Sequence, residues 1–283
     1  MLKVKSISKD YGKFKLEDVS FHLPPGYIMG LIGPNGAGKT TTLSIILNFI
    51  SKGAGDVSIL GTDHIAGEAE VKKQIGVVFD SNVFVCDWKV MEAGRAMAIF
   101  YDNWKQKTFL EMLSLFGLDG NKKVGQLSKG MQTKLMLACA FAHDARLLIL
   151  DEPTSGMDPP SRDELLELLQ DYIKDGNRSV LFSTHITADL ERVADYITYI
   201  RGGRVFFTGP TEELIEEYRI IKGGREDLTG DLRGKIHGLR MHTTGFEGLV
   251  SRRDVSREPA GCILERGTID EIMIYTARED EHK

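Results

Sequence analysis

The chain has 283 residues, a length that predicts one large domain, or a large domain joined to a smaller one. Its formal net charge of −5, with lysine and arginine dispersed along the sequence, argues against nucleic acid as a partner. Hydrophobic residues make up 42% of the chain, yet no apolar run approaches the roughly 18 residues of a membrane-spanning helix. Work at a membrane would therefore need spanning segments from another chain.

The cysteines and the N-terminal segment predict a reduced, cytosolic protein. Cys86, Cys139 and Cys262 are widely and irregularly spaced, which argues against a disulfide framework and against a zinc site. The first residues, MLKVKSISKDYG, alternate charged with apolar side chains. They are predicted to form a strand and not a signal peptide.

The strand pattern predicts an α/β fold. Predicted strands lie, in chain order, at residues 2–8, 19–23, 28–32, 75–79, 147–150 and 180–182. The first two alternate polar and apolar residues, as in an antiparallel β subdomain. The others are almost purely apolar, which is typical of parallel strands covered on both faces.

The remaining elements divide the chain into predicted domains. Residues 90–116 contain predicted helices that interrupt the strands, and we assign a helical subdomain to about residues 86–140. Another helix is predicted at residues 161–175, before a hairpin that turns at Gly202-Gly203.

After Pro210 the sequence changes in character. A short acidic helix, TEELIEEY, is followed by short apolar pieces that alternate with glycine and charged residues. Residues 1–210 are therefore predicted to form the main domain, and residues 211–283 a linker helix with a small, mostly β appendage.

A phosphate-binding loop is predicted between the third strand and a helix predicted at residues 40–49. The segment GPNGAGKT matches G-x-x-x-x-G-K-[ST], and its flanking elements argue against a glycine-rich turn that matches by chance. Backbone N–H groups of such a loop cradle phosphates, the lysine reaches the β and γ phosphates, and the Thr40 hydroxyl ligates Mg²⁺. The predicted nucleotide-binding residues here are Gly33, Pro34, Asn35, Gly36, Ala37, Gly38, Lys39, Thr40 and Thr41.

Two carboxylates end the apolar run LLILDEP. Adjacent acids that emerge from a buried strand repel each other and are poorly solvated, so a nearby cation is the natural compensation. Asp151 is predicted to hold Mg²⁺, directly or through water. Glu152 is predicted to be the general base that orients and deprotonates the attacking water. On its own such a pair is more often a simple strand-end turn, but the phosphate-binding loop favours the catalytic interpretation.

His185 is the third predicted strand-end group. It follows the apolar strand that ends in STH, and the carboxyl ends of strands in an open α/β sheet form the ligand-binding edge. A single histidine is usually structural. Beside the other two strand ends, however, His185 is predicted to donate to the γ-phosphate.

A second anion site is predicted at LSKGMQ. Apolar residues recur after it at helical spacing, so Ser128 and Gly130 lie at a helix N-terminus, where backbone N–H groups bind anions. One nucleotide does not need both this site and the loop at residues 33–40.

The ordered motifs GPNGAGKT, LSKGM, LILDEP, SGMD and STH resemble those of the ATP-binding-cassette (ABC) family over most of residues 1–210. The resemblance implies a P-loop NTPase core that hydrolyses ATP with Mg²⁺. It also implies a head-to-tail dimer with a second copy or a paired ABC subunit, in which Ser128, Gly130 and Met131 of one chain meet the ATP of the other.

The same resemblance assigns two further residues. Tyr11 resembles the aromatic residue that stacks on adenine, although exposed loop tyrosines are common. Asp158, in SGMDP, resembles an acid that contacts the partner's phosphate-binding loop, and it is also placed to cap the following helix.

This sequence departs from the family pattern at two places. The family usually has glutamine where this chain has Asp80, which is a candidate metal ligand unless Asn82 substitutes for it. A third carboxylate could strengthen the metal site or slow hydrolysis by repelling the γ-phosphate. Lys129 and Met131 replace the usual glycine and glutamine of the signature motif, which leaves the Ser128 and Gly130 contacts intact.

The resemblance also implies a membrane partner. Residues 82–105 correspond to the region where transport members dock an integral membrane permease, which would hold this chain at the cytoplasmic face of the membrane. LSKGM and the C-terminal appendage resemble exporters of the bacitracin, lantibiotic and phenol-soluble modulin type. The appendage is expected to support dimerisation or regulation. Alternative hypotheses are a soluble ABC ATPase acting on ribosomes or DNA, and a regulatory nucleotide-binding module.

Overall fold

The computed structural model describes residues 1–277. Its strands are β1 (Leu2–Asp10), β2 (Lys15–Leu23), β3 (Ile28–Ile32), β4 (Ala54–Ile59), β5 (Thr62–Asp63), β6 (Ile75–Val78), β7 (Leu147–Asp151), β8 (Ser179–Ser183), β9 (Tyr196–Arg201), β10 (Arg204–Pro210), β11 (Tyr218–Gly224), β12 (His237–Met241), β13 (Gly245–Ser251) and β14 (Cys262–Arg266). Its α-helices are α1 (Lys39–Ile46), α2 (Glu68–Lys73), α3 (Val90–Ala98), α4 (Gln106–Leu115), α5 (Lys129–Ala142), α6 (Pro159–Ile173), α7 (Thr187–Val193), α8 (Thr211–Glu217), α9 (Gly230–Arg233) and α10 (Ile269–Ala277). No helix within residues 1–277 has the length and apolar character needed to cross a membrane.

A six-stranded sheet forms the centre of the molecule. Its strand order is β10-β9-β3-β8-β7-β6, with parallel pairing throughout except between β9 and β10. All five residues of β3 and of β8 are buried, which explains their continuous apolar character. The predicted α/β fold with a mainly parallel sheet is confirmed.

A smaller antiparallel sheet covers one side of this centre. Its order is β2-β1-β4-β5, and buried residues of β1 and β2 alternate with more exposed ones except where the register of the pair shifts, between Val4 and Ile7 and between Leu16 and Val19. Leu2, Val4 and Leu23 of this sheet share a hydrophobic cluster with Met29 and Leu31 of β3. The period-2 pattern in the sequence therefore predicts the buried face correctly.

Helix ends differ from the prediction by a few residues because of local caps. The helix predicted at residues 161–175 begins at Pro159, since the Asp158 side chain accepts a hydrogen bond from the Ser161 N–H and caps it. The helix predicted at residues 40–49 ends at Ile46, and Asn48 adopts a positive φ of 56° just beyond it. Few residues other than glycine, asparagine and aspartate adopt that conformation readily.

A compact helical layer, formed by α3, α4 and α5, lies between β6 and β7 in the sequence. Phe109 of α4 is fully buried within it and packs against Trp104, with ring centroids 5.3 Å apart and ring planes tilted by 45°. Gly94 of α3 lies against the same ring, because a Cβ at that position would be 2.3 Å from Phe109 Cε1.

Gly94→Ala is expected to destabilise the fold. Forcing a methyl group into this contact costs about 1 to 3 kcal/mol, which exceeds the roughly 1 kcal/mol that alanine gains over glycine in a helix. Urea unfolding should show a lower midpoint. Gly230→Ala, at a helical site with no atom within 4 Å of the added Cβ, is the matched control and should not lower it. Equal midpoints for the two variants would show that the α3–α4 contact adapts freely.

The third sheet, formed by the C-terminal strands, is antiparallel in the order β12-β13-β11-β14. Ile221 and Val250 lie in a small cluster of this sheet's own. Ile220 and Leu249 instead join the large cluster that contains the helical layer and one face of the six-stranded sheet.

Helix α10 extends the same connection. Its Ile269, Ile272 and Tyr275 belong to the large cluster, and the Tyr199 hydroxyl of β9 lies 2.7 Å from Thr276 Oγ1. The C-terminal segment therefore packs directly on the central sheet.

Candidate active site

A cavity of about 720 Å³ opens at the carboxyl ends of the central strands. Strands β3, β7 and β6 are parallel, so the segments that follow them emerge at the same edge of the sheet. The cavity is lined by Phe14, Asn35, Gly36, Gly38, Lys39, Thr40, Thr41, Phe79, Asp80, Ser81, Asp151 and Glu152.

The phosphate-binding loop requires glycine at two positions, one because of a close backbone approach and one because of its positive φ. A Cβ on Gly33 would lie 2.2 Å from the Ile200 carbonyl oxygen of β9. Gly38 has a positive φ of 113° and contacts Leu16 of the antiparallel sheet, while forming the N-cap of α1. The loop is thus fixed between the two sheets, and the α1 N-terminus faces the cavity.

The Lys39 side chain is buried at the base of this loop. Its Nζ donates to the Gly33 carbonyl oxygen at 2.6 Å and to that of Pro34 at 3.3 Å. Burial lowers the pKa of the Lys39 ammonium, and the Glu152 and Asp151 carboxylates act in the opposite direction. Bound phosphates would add further negative charge around this ammonium and favour its charged form.

The two predicted carboxylates at the end of β7 have different environments. Asp151 accepts a hydrogen bond from the Ser183 hydroxyl at 2.5 Å, across the β7–β8 pair. Glu152 has a positive φ of 51°, an uncommon conformation for glutamate, and its N–H donates to the Ser183 carbonyl oxygen at 3.0 Å. The turn away from the strand allows both carboxylates to line the cavity.

His185 contacts Glu152 directly. Its Nδ1 lies 2.7 Å from Glu152 Oε2, and its backbone N–H donates to the same oxygen at 3.4 Å. A carboxylate only accepts hydrogen bonds, so Nδ1 carries the proton in this pair. Nε2 of the exposed ring then accepts a hydrogen bond in the neutral form, and it donates to a phosphate only in the imidazolium form.

The oxygen atoms around the cavity fit a Mg²⁺ ion bound together with a nucleotide. Thr40 and Asp151 line it and supply the hard oxygen donors that Mg²⁺ prefers. Within residues 1–277, no group of three histidine, cysteine, aspartate or glutamate side chains could hold a metal. Phosphate and water would therefore have to complete the coordination shell. The third predicted ligand, Asp80, also lines the cavity, but its carboxylate is paired with Lys129 at 2.5 Å.

The signature residues lie outside the lining of this cavity. Ser128 is exposed and caps α5, accepting a hydrogen bond from the Met131 N–H at 3.3 Å. Gly130 is buried against the backbone of Gly156, where a Cβ would be 3.3 Å from the carbonyl oxygen. Asp158 is exposed, and its hydrogen bonds with Ser161 lower its pKa.

Tyr11 also lies outside the cavity lining, whereas Phe14 forms part of its wall. The Tyr11 ring is exposed, with Lys9 Nζ 5.7 Å from its centroid. Phe14 approaches the phosphate-binding loop, and a Cβ on Gly38 would lie 3.1 Å from its Cζ. Both Tyr11 and Phe14 are aromatic, and nothing in the sequence indicates that β2 places Phe14 beside the phosphate-binding loop.

Comparisons with known proteins agree with this architecture. A family profile described as "ABC transporter" matches residues 16–155. The bacitracin transport ATP-binding protein BcrA of Bacillus licheniformis is 31% identical, over 99% of this chain and 94% of its own length. A Nod factor export ATP-binding protein I of Rhizobium etli is 34% identical, over 75% of this chain and 68% of its own.

The solved structure of an ATP-binding subunit of an ABC transporter has a TM-score of 0.70 and 31% identity, and the match covers 76% of this chain and 91% of that one. The resemblance inferred from the motifs is confirmed, as are the P-loop NTPase fold and the ATPase activity expected from it. The chain belongs to the ABC transporter family, in which it is an ATP-binding, ATP-hydrolysing subunit.

Proposed function

We propose that this subunit hydrolyses ATP at the interface of a head-to-tail dimer and thereby drives export through a separate membrane protein. The observation that carries the proposal is the distribution of the predicted site residues. Lys39, Asp151 and Glu152 line one cavity, whereas Ser128 and Gly130 lie outside it. A second subunit that presents its own α5 N-terminus would complete each site.

In this proposal Glu152 is the general base. Its carboxylate receives hydrogen bonds from the Nδ1–H and backbone N–H of His185, which fix its orientation toward the cavity. The carboxylate orients the attacking water and takes its proton, while Lys39 holds the β and γ phosphates. Mg²⁺ held by Thr40 and Asp151 would neutralise charge on the phosphate oxygens when bound.

The dimer would close only with nucleotide in place. One helix N-terminus contributes about 0.3 to 1 kcal/mol to anion binding, and up to about 2 kcal/mol when partly buried. Two such contacts alone would not hold two subunits together. Closure thus depends on the γ-phosphate that bridges the subunits, and its loss on hydrolysis lets them separate.

A groove beside the helical layer supports docking of a membrane subunit. It has a volume of about 240 Å³ and lies between the central sheet and helices α3 and α5. Its mainly apolar wall comprises Leu47, Phe49, Lys72, Ile75, Val77, Phe79, Val83, Phe84, Met97, Tyr101, Met136, Cys139, Ala140 and His143. The exposed side chains of Val85, Ile99 and Phe100 lie nearby in the sequence.

The occupant that fits this groove is an amphipathic helix from a cytoplasmic loop of a permease. An apolar groove with exposed apolar neighbours is typical of helix recognition. Several groove residues fall within residues 82–105, the segment predicted to dock the permease. Such docking would place this subunit at the cytoplasmic face of the membrane as a peripheral component.

Val83→Asp is expected to release the membrane partner. Val83 lines the groove and is 54% exposed, so the change should not disturb the core, but it introduces a charge that the apolar face of the docked helix cannot solvate. Affinity purification from detergent extract should recover a permease with the wild type and little with the variant.

Ile263→Asp is the matched control for this experiment. Ile263 is 57% exposed on β14, in the C-terminal sheet. If both variants lost the permease, the effect would come from an added surface charge and not from the groove. Full recovery with Val83→Asp would exclude this groove as the docking surface.

We propose an amphipathic or antimicrobial peptide as the exported cargo. The support is the relative named for bacitracin transport, which aligns with nearly the whole chain, including the C-terminal sheet. Deleting the gene should sensitise cells to such peptides, and a Glu152→Gln copy should fail to restore resistance. Unchanged sensitivity to every peptide tested would contradict this cargo class and leave the ATPase assignment intact.

A further inference from the structure

Lys129 connects three segments around the nucleotide cavity. It is the first residue of α5, and its Nζ lies 2.5 Å from Asp80 Oδ1, just after β6. The same Nζ donates to the Ser155 hydroxyl, just after β7, at 3.4 Å. The lysine of the signature motif therefore contacts residues that follow two of the strands delivering groups to the cavity.

The charges on the cavity wall explain why this contact matters. The lining contains three carboxylates, Asp80, Asp151 and Glu152, and one ammonium, Lys39. The polyphosphate of ATP would enter a wall with an excess of negative charge, and like charges at short range oppose binding. Pairing with Lys129 compensates one of the three carboxylates.

We propose that Lys129 is a positioning and charge-compensating residue for the nucleotide site of its own subunit, acting through Asp80. It neutralises Asp80 and restrains that carboxylate on the cavity wall, which reduces its repulsion of the phosphates. In the proposed dimer, α5 of the same subunit also faces the partner's nucleotide. This part of the inference rests on the proposed function, and it makes the Lys129–Asp80 pair a direct link between the two ATP sites.

Stability of the fold does not account for the pair. The side chains of Lys129 and Asp80 are 47% and 52% exposed, and ion pairs this exposed contribute little to folding stability. An effect on nucleotide affinity without an effect on unfolding would therefore separate the proposed role from a structural one. The pair of Lys222 and Glu265 offers a matched control, with the same 2.5 Å distance and exposures of 45% and 48%, in the C-terminal sheet.

The test is a double-mutant cycle on Mg·ATP binding, measured by calorimetry on the isolated full-length subunit. The variants are Lys129→Met, Asp80→Asn and the two combined. Lys129→Met should weaken binding about threefold to tenfold, because it leaves Asp80 uncompensated near the phosphates. The double variant should bind within about twofold of Asp80→Asn, and each difference should shrink as salt is raised.

Two control measurements accompany the double-mutant cycle. Lys222→Met should leave the dissociation constant unchanged, and all variants should unfold at the wild-type urea midpoint. If Lys129→Met binds as tightly as the wild type, or if Asp80→Asn fails to restore its affinity, the inference is overturned. The dimer proposal fails separately. If the subunit showed no ATP-dependent dimerisation but the binding cycle gave the expected affinities, the dimer proposal would be wrong and the role of Lys129 at its own site would stand.

Discussion

Glu152→Gln is expected to bind ATP but hydrolyse it at least about a hundredfold more slowly than the wild type. A positioned general base contributes about 10² to 10⁴ to a rate, and an amide cannot accept the proton of the attacking water. The substitution preserves side-chain volume and one oxygen for the hydrogen bonds from His185. The geometry of the cavity should therefore be preserved while ATP hydrolysis is almost abolished.

Trapping of the dimer is the second part of this expectation. With hydrolysis blocked, the γ-phosphate that joins the two subunits is not removed, and the closed state should accumulate. Phosphate release measures turnover, and light scattering coupled to size exclusion with Mg·ATP measures the mass of the complex. The variant should elute as a dimer with ATP and as a monomer without it.

Glu167→Gln is the control for the loss of a carboxylate, since Glu167 is exposed on α6 and lies outside the cavity lining. It should hydrolyse ATP at the wild-type rate. Undiminished turnover by Glu152→Gln would remove Glu152 as the base and direct attention to Asp80, another carboxylate on the cavity wall.

The sheet edge that carries the candidate catalytic residues was predictable because each of these residues directly follows an apolar strand. Continuous apolar runs predicted the strands that end near Gly33, Asp151 and Ser183, and these strands are buried in the structure. Because the strands pair in parallel, their carboxyl ends lie at the same edge of the sheet. Periodicity and strand-end chemistry are local signals. They can be recognised in the sequence without knowing which distant residues are in contact in the folded protein.

Contacts between distant segments were not predictable in the same way. Lys129 and Asp80 are 49 residues apart, and nothing in either segment indicates that they form an ion pair. Phe14 reaches the phosphate-binding loop only because β2 lies beside it. Such pairs depend on the packing of whole sheets, which hydrophobic periodicity does not encode.

The C-terminal segment illustrates a further limit of composition. The change after Pro210 predicted a boundary, and composition gave no indication of the contact between α10 and α7, the helix that follows His185. Asp270 Oδ1 accepts a hydrogen bond from the Thr187 hydroxyl at 3.3 Å, and the Ile269 N–H donates to Glu191 at 2.7 Å. These contacts connect the C-terminal segment to the helix that follows the candidate site residue His185.

Lys39→Ala is expected to weaken ATP binding by about a hundredfold or more. Hydrogen bonds to charged groups contribute about 1.5 to 3 kcal/mol each, and every 1.4 kcal/mol changes a dissociation constant tenfold. Lys39 is 8% exposed at the base of the loop, and no other cation lines the cavity within residues 1–277. Its loss leaves the Asp151 and Glu152 carboxylates on the cavity wall without a lysine beside them.

Thermal unfolding with and without Mg·ATP measures this loss, because a ligand that binds only the folded state raises Tm by an amount that grows with the logarithm of its concentration relative to Kd. The wild type should show a clear shift, and Lys39→Ala none at the same concentration. Lys39 also donates to the carbonyl oxygens of Gly33 and Pro34, so Tm without nucleotide reports separately on damage to the loop. Lys134→Ala removes another largely buried lysine, on α5, and should retain the full shift. An equal shift in Lys39→Ala and Lys134→Ala would show that the phosphates are held elsewhere.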